Sequence, residues 1–233
     1  MAKGDRTGNR ITREQRKCRK TPKLGYYVIV TDTEATERCF FTGFYDSLPK
    51  DIRDKIVIKV VETKTPIMID KCLEYQAYDP QYRIPWIVFD RDQMQGFDEM
   101  IKEAKNRGIN VGWSNPCFEI WMYAYFGSMP AIRESWTCVL HFKQEYEKKT
   151  GHKYSKSDDK IYERLCKVGD ESKAIRIAEQ KYKQCIRDGK TRPSEMCPCT
   201  TIMVQLSRQK IEIFIMNRFR FIRVCLHKLN KAS

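Results

Sequence analysis

Through the first half of the chain, short apolar runs rich in β-branched and aromatic residues alternate with longer stretches of helical periodicity. Tyr26–Val30, Ile56–Val61, Pro85–Phe89 and Ile109–Trp113 read as four strands. Pro85–Phe89 is apolar throughout, as a parallel strand covered on both faces is. Between the runs, Thr36–Leu48 predicts a helix with Phe40, Phe41 and Phe44 on one face. Pro66–Gln76 predicts another, with Pro66 suited to a first turn. Gly96–Arg107 predicts a third, closed by Gly108 in a left-handed cap. Asn115 is expected to cap a fourth helix over Cys117–Phe126, with Pro116 at its first position. Strand–helix alternation on this scale predicts an α/β fold, a mainly parallel sheet flanked by helices and joined by right-handed crossovers.

After Gly127 no further strand is expected. Ser135–Lys149, Asp158–Lys167 and Glu171–Ile186 read as helices, residues 188–194 as a loop, and order resumes at Thr200–Leu206. Ile211, Ile215, Phe219, Ile222, Leu226 and Leu229 recur at three- and four-residue steps, which predicts a basic amphipathic C-terminal helix. The chain therefore divides into a basic arm at 1–24, an α/β core at 25–127 and a helical lobe at 128–233.

Composition narrows the function classes. With 41% hydrophobic and 12% aromatic residues among 233, the chain can bury a proper core, which excludes disorder as the default. Its formal net charge of +14 favours a polyanionic partner, above all nucleic acid. The arm adds Arg6, Arg10, Arg13, Arg16, Lys17, Arg19, Lys20 and Lys23, either a nucleic-acid contact or a solvated tail. Ten cysteines occur without an apolar leader after Met1, so the thiols are expected to stay reduced in the cytoplasm. Cys197-Pro198-Cys199 is too closely spaced for the usual zinc pair, and His141, His152 and His227 are scattered, so no zinc site is expected. Ile211–Leu229 carries Glu212, Arg218, Arg220, Arg223 and His227, which excludes a membrane span there.

The candidate chemistry lies just past the strands. The first runs into Thr31-Asp32-Thr33-Glu34-Ala35-Thr36-Glu37 and the third into Asp90-Arg91-Asp92. Ligands of open α/β sheets gather at the carboxyl ends of strands. Residues two apart on a strand share a face, so Asp90 and Asp92 can chelate one ion if the backbone stays extended. Asp32 would complete a three-carboxylate cluster suited to Mg²⁺ or Mn²⁺ acting on phosphate. Glu34 is assigned to the positive end of a helix, while Glu37 stands between that and catalysis. Arg91 is expected on the opposite face from the two aspartates, paired structurally.

At these residues the chain resembles the RloB-like proteins, a branch of the Toprim nuclease superfamily found beside restriction and phage-defence genes. Members carry a strand ending Cys-Glu-Gly-Glu-x-Thr-Glu, where this chain has Thr31 to Glu37, and a strand leading into Asp-x-Asp, here Val88 to Asp92. They also carry Ser-Asn-Pro-x-Phe-Glu-Leu-Trp, matched by Ser114-Asn115-Pro116-Cys117-Phe118-Glu119-Ile120-Trp121. Weaker matches follow at Tyr154-Ser-Lys156, Ala174–Ala178 and Cys197–Thr201, so the likeness runs from about Tyr26 to Leu206. It implies a Toprim-like fold and a Mg²⁺- or Mn²⁺-dependent nuclease of antiphage defence by abortive infection. Asp90 and Asp92 then map to the metal-holding pair, Asp32 to the general acid–base or metal-holding position, and Glu119 to a glutamate after the fourth strand. Ser114, Asn115 and Lys156 become phosphate contacts, with helix capping the competing role for the first two.

Two departures fall in the first motif: Asp32 stands where the family has glutamate, and Thr33 where it has glycine. They leave open a second class of function, a catalytically impaired nucleic-acid-binding or regulatory subunit. A third follows from the family's neighbourhood with ABC-type ATPases, because this chain has no phosphate-binding Gly-x-x-x-x-Gly-Lys-Ser/Thr loop of its own. The stripe Ile211–Leu229 would then be a docking or homodimer surface; packing on its own helical lobe is the reading preferred here.

Overall fold

The computed structural model describes residues 26–32, 35–54, 56–61, 66–77 and 83–202. The basic arm, Thr33, Glu34 and the stripe Ile211–Leu229 lie outside the described residues. Four strands, β1 (Tyr26–Thr31), β2 (Ile56–Val60), β3 (Arg83–Asp90) and β4 (Asn110–Asn115), run parallel in the order β2-β1-β3-β4. A two-residue strand, β5 (Cys199–Thr200), adds antiparallel to β4. The expectation that strands end at Gly127 is thus corrected. β5 is too short to give a periodic signal, and pairing with β4 defines it.

Alternation along the strands assigns each residue to a face. Tyr27, Ile29, Trp86 and Val88 enter one buried cluster, while Val28, Val30, Ile87 and Phe89 enter the other. Helix α1 (Thr36–Asp46) lays Phe40, Phe41 and Phe44 on the first face and is followed by a short turn of helix, α2 (Lys50–Arg53). Helices α3 (Pro66–Ala77) and α4 (Phe97–Asn106) cover the second face with Met68, Ile69, Met100 and Ile101. Gly108 follows α4 at φ +77°, the left-handed geometry expected of it.

Helix α5 (Glu119–Tyr123) continues into a 3₁₀ turn at Ala124–Phe126. It is followed by α6 (Ser135–Thr150), α7 (Ile161–Val168) and α8 (Glu171–Arg187). Cys138, Phe142, Leu165, Ala174 and Ala178 of these helices belong to the same buried cluster as β1 and α1. The helical part therefore shares its core with the sheet. Gly43 of α1 and Gly169 between α7 and α8 permit that closeness. A Cβ at Gly43 would stand 2.7 Å from Tyr162 Cβ, and one at Gly169 would stand 2.5 Å from the Tyr125 carbonyl oxygen. Among the described residues no helix is long and apolar enough to cross a membrane.

Candidate functional site

In the order β2-β1-β3-β4 the chain leaves β1 towards one edge of the sheet and later crosses to the other, so the switch point lies between β1 and β3. That is where an open α/β sheet has its crevice. Thr31 is in register with Val88, which brings Asp32 to the level of Phe89, one residue short of Asp90. Both carboxylates are buried, at 3% and 8% exposure. Glu37, in the first turn of α1, and Glu119, at the start of α5, are buried as well. Four carboxylates thus sit inside one edge of the sheet, an expensive arrangement unless hydrogen bonds or a cation compensate it.

The hydrogen bonds differ from the sequence expectation. Asn115 does not cap a helix: it is the last residue of β4, and its Nδ2 donates to the carbonyls of Pro193 (3.1 Å) and Ser194 (3.2 Å). The helix begins later than foreseen because β5 extends β4 by pairing Ser114 with Thr200 and Asn115 with Cys199. The peptide between Asn115 and Pro116 is cis. Asp90 takes over at the helix N-terminus, where its Oδ2 accepts from the Phe118 N–H at 3.3 Å. Ser114 is fully buried and shares a 2.8 Å hydrogen bond with the Thr200 hydroxyl.

The extended Asp90-x-Asp92 chelate is also corrected. Strand β3 stops at Asp90. The Arg91 N–H donates to the Ser114 carbonyl and the Asp92 N–H to the Pro116 carbonyl, each at 2.8 Å, and Asp92 turns to φ +39°. Its side chain is exposed on the rim of an open groove of about 570 Å³ beside Met94, Gly96 and Met100. Among the described residues no three His, Cys, Asp or Glu side chains form a group that could hold a metal ion. Arg91 has no ion pair among the described residues, contrary to the structural pairing expected.

Glu119 gains a partner that spacing could not reveal. The Tyr154 hydroxyl, from the loop between α6 and α7, donates to Glu119 Oε1 at 2.7 Å. Burial, reinforced by the Glu119 charge, pushes the Tyr154 hydroxyl far above its ordinary value, so it stays a donor. Its sequence signal is its place in Tyr154-Ser-Lys156, of which Lys156 is the expected phosphate contact; that lysine is exposed. The Cys117 thiol is likewise pushed up, first by the neighbouring Cys138 thiol and then by burial, which makes it packing rather than a nucleophile.

The donor chemistry at this edge fits a hard divalent cation, since every candidate ligand is an oxygen. Two buried neutral oxygens there, Thr31 Oγ1 and Asn115 Oδ1, have no hydrogen-bond partner among the described residues. Mg²⁺ in phosphate-processing sites is commonly held by one or two carboxylates, with water and substrate phosphate completing its shell. Asp32 and Asp90, at the ends of the adjacent strands β1 and β3, are the two acids that would hold such an ion.

Fold and edge together define an open, mainly parallel α/β protein with acidic groups at its switch point. The model of the RloB-like protein family matches residues 27–206, and the chain belongs to that family. No curated protein and no solved structure matches it.

Proposed function

We propose that this protein hydrolyses phosphodiester bonds in nucleic acid with the help of Mg²⁺ or Mn²⁺, as a Toprim-type nuclease of antiphage defence. The observation that carries the reading is the set of buried carboxylates Asp32, Glu37, Asp90 and Glu119 along the carboxyl edge of the sheet, in a chain of net charge +14. Asp32 and Asp90 would hold the ion, which supplies charge for the phosphate and a more acidic water. Glu119, fixed by the Tyr154 hydroxyl, is oriented to take or return a proton. Glu37 supports the same edge from the first turn of α1. Asp92 acts from the rim, where it can meet substrate or a second, hydrated ion.

The exposure of Asp92 favours a second reading, in which a binding or regulatory subunit works with a partner such as an ATPase and has lost the chemistry. One experiment separates the two. Plasmid DNA and total RNA are incubated with the protein and with Asp90→Asn, in Mg²⁺, Mn²⁺ and EDTA. Asparagine keeps an oxygen for the Phe118 N–H, so α5 stays capped. Cleavage by the parent, reduced by more than about a hundredfold in the variant and in EDTA, supports the nuclease. Salt-sensitive binding without cleavage under any condition supports the subunit.

A further inference from the structure

An acidic edge admits a polyanion only if cations stand beside it. Arg91, Arg133 and Lys190 each favour the Cys197 thiolate, although burial dominates and pushes the thiol up to about 11. They come from separate parts of the chain and are fixed differently. The Arg91 amide is held on the Ser114 carbonyl at the site edge. The Arg133 backbone accepts, with that of Ile132, from the Cys197 thiol, at 3.9 and 3.5 Å. Lys190 follows α8, its amide donating to the Cys185 carbonyl at 3.0 Å. Arg107, Arg164 and Arg192 are all engaged by acids, whereas none of these three has an ion pair among the described residues.

An exposed ring follows Arg133 three residues along the chain. Trp136, in the first turn of α6, is 71% exposed, while Trp86, Trp113 and Trp121 are buried. Helix α6 buries Cys138, Phe142 and Tyr146, so Trp136 lies on the outward side, one turn before exposed Leu140. The start of α6 is pinned to the site: the Ser135 hydroxyl donates to the Pro116 carbonyl at 3.3 Å, and the Cys117 thiol to the Ser135 carbonyl at 3.8 Å. Unengaged cations and an open aromatic ring on segments anchored to the same site edge match the needs of a single strand, whose bases stack and whose phosphates take the charges. A duplex keeps its base faces covered.

We propose that Arg91, Arg133, Lys190 and Trp136 form a seat for single-stranded nucleic acid, with an unpaired base on the indole and the backbone running along the cations to the acidic edge. This rests on the nuclease reading for the role of the edge, but occupancy of the seat requires no hydrolysis. The test is therefore a fluorescence-anisotropy titration of the full chain in EDTA, with labelled oligothymidine, oligouridine and a duplex of equal length. Single strands bind more tightly than the duplex. Trp136→Ala weakens single-strand binding about tenfold, while Trp136→Phe keeps most of it. Arg133→Ala with Lys190→Ala lowers the slope of log affinity against log salt by roughly 1.4. Tryptophan emission is quenched on binding in the parent and not in Trp136→Phe.

Equal or tighter duplex binding overturns the seat, as does undiminished affinity in Trp136→Ala. Shielding of the indole from acrylamide as protein concentration rises, without oligonucleotide, also overturns it by making the face a contact between copies. Seat binding without cleavage by the parent leaves the seat standing and removes the nuclease. Cleavage with unaltered binding in the variants does the reverse.

Discussion

One face of the sheet is closed by rings, the other chiefly by aliphatic chains, and the site leans on the first. Phe40 alone has Phe41, Phe118, Trp121, Tyr125 and Tyr162 within 5.2–6.4 Å between centroids, all edge-on. On the opposite face, among the described residues, Phe97 meets only Phe89 and Trp113, amid Met68, Ile69, Met100 and Ile101. Edge-to-face rings favour particular angles, whereas methionine and isoleucine fill space more adaptably. Glu119, the Phe118 N–H that Asp90 caps, and Tyr154 all belong to elements held by the ring face. The face covered by α4 carries the exposed Asp92 rim instead. Precision is concentrated where buried acids must be held.

The largest effect should come from breaking that asymmetry. Phe40→Ala should cost about 5 kcal/mol and Phe97→Ala about 3, the two ends of the range for buried phenylalanine. Urea titrations at unchanged slope measure both, and cleavage or oligonucleotide binding should fall only in the first. Equal losses would mean that the rings serve as bulk alone.

Tyr154→Phe comes next. It keeps the ring packing on Phe142 and Tyr146 but removes the 2.7 Å bond to Glu119. A hydrogen bond to a charged group is worth about 1.5–3 kcal/mol, and rate should fall with it if Glu119 handles a proton. The same hydroxyl gives a pH signature. Its folded-state value is raised above the ordinary 10.0 by burial and then by Glu119, and Tyr162 is raised by burial and then by Glu171. Above that ordinary value the unfolded chain has lost protons that the folded chain retains, so stability falls as pH rises; below it these groups contribute no slope. Cys72, raised to about 12 by burial from 9.0, starts the decline earlier. Urea midpoints should therefore drop from about pH 9 upward, less steeply in Tyr154→Phe. A flat alkaline limb in the parent would contradict the burial of these groups.

Local pattern made much of this readable. Phe40, Phe41 and Phe44 announced the buried face of α1, and the apolar run Pro85–Phe89 announced a central strand with Asp90 at its end. The site details that escaped are long-range. Asn115 looked like a cap because nothing nearby shows that Cys199 pairs with it, 84 residues later. Asp92 looked extended because its turn is set by a hydrogen bond to the Pro116 carbonyl. Tyr154 reaches Glu119 across 35 residues, a contact visible only once α6 has packed. The sheet edge follows from periodicity, but the partners of its acids follow from tertiary structure.

The smallest expected effect lies on the aliphatic face, where Arg107, just past α4, bridges to Asp70 of α3 at 2.7 Å. Both side chains are more than a third exposed, so solvent and salt screen the pair. Arg107 also has Glu103 at 3.5 Å and would keep a carboxylate neighbour if Asp70 were lost. The two helices are anchored independently by Met68, Ile69, Met100, Ile101 and Ala104, all at most 4% exposed. Arg107→Gln should therefore cost about 0.5 kcal/mol or less at low ionic strength and nothing measurable in high salt. It should also leave cleavage and strand binding untouched. A loss as large as that of Tyr154→Phe would mean that a surface charge pair sets the spacing of α3 and α4, and that the aliphatic face is held as exactingly as the ring face.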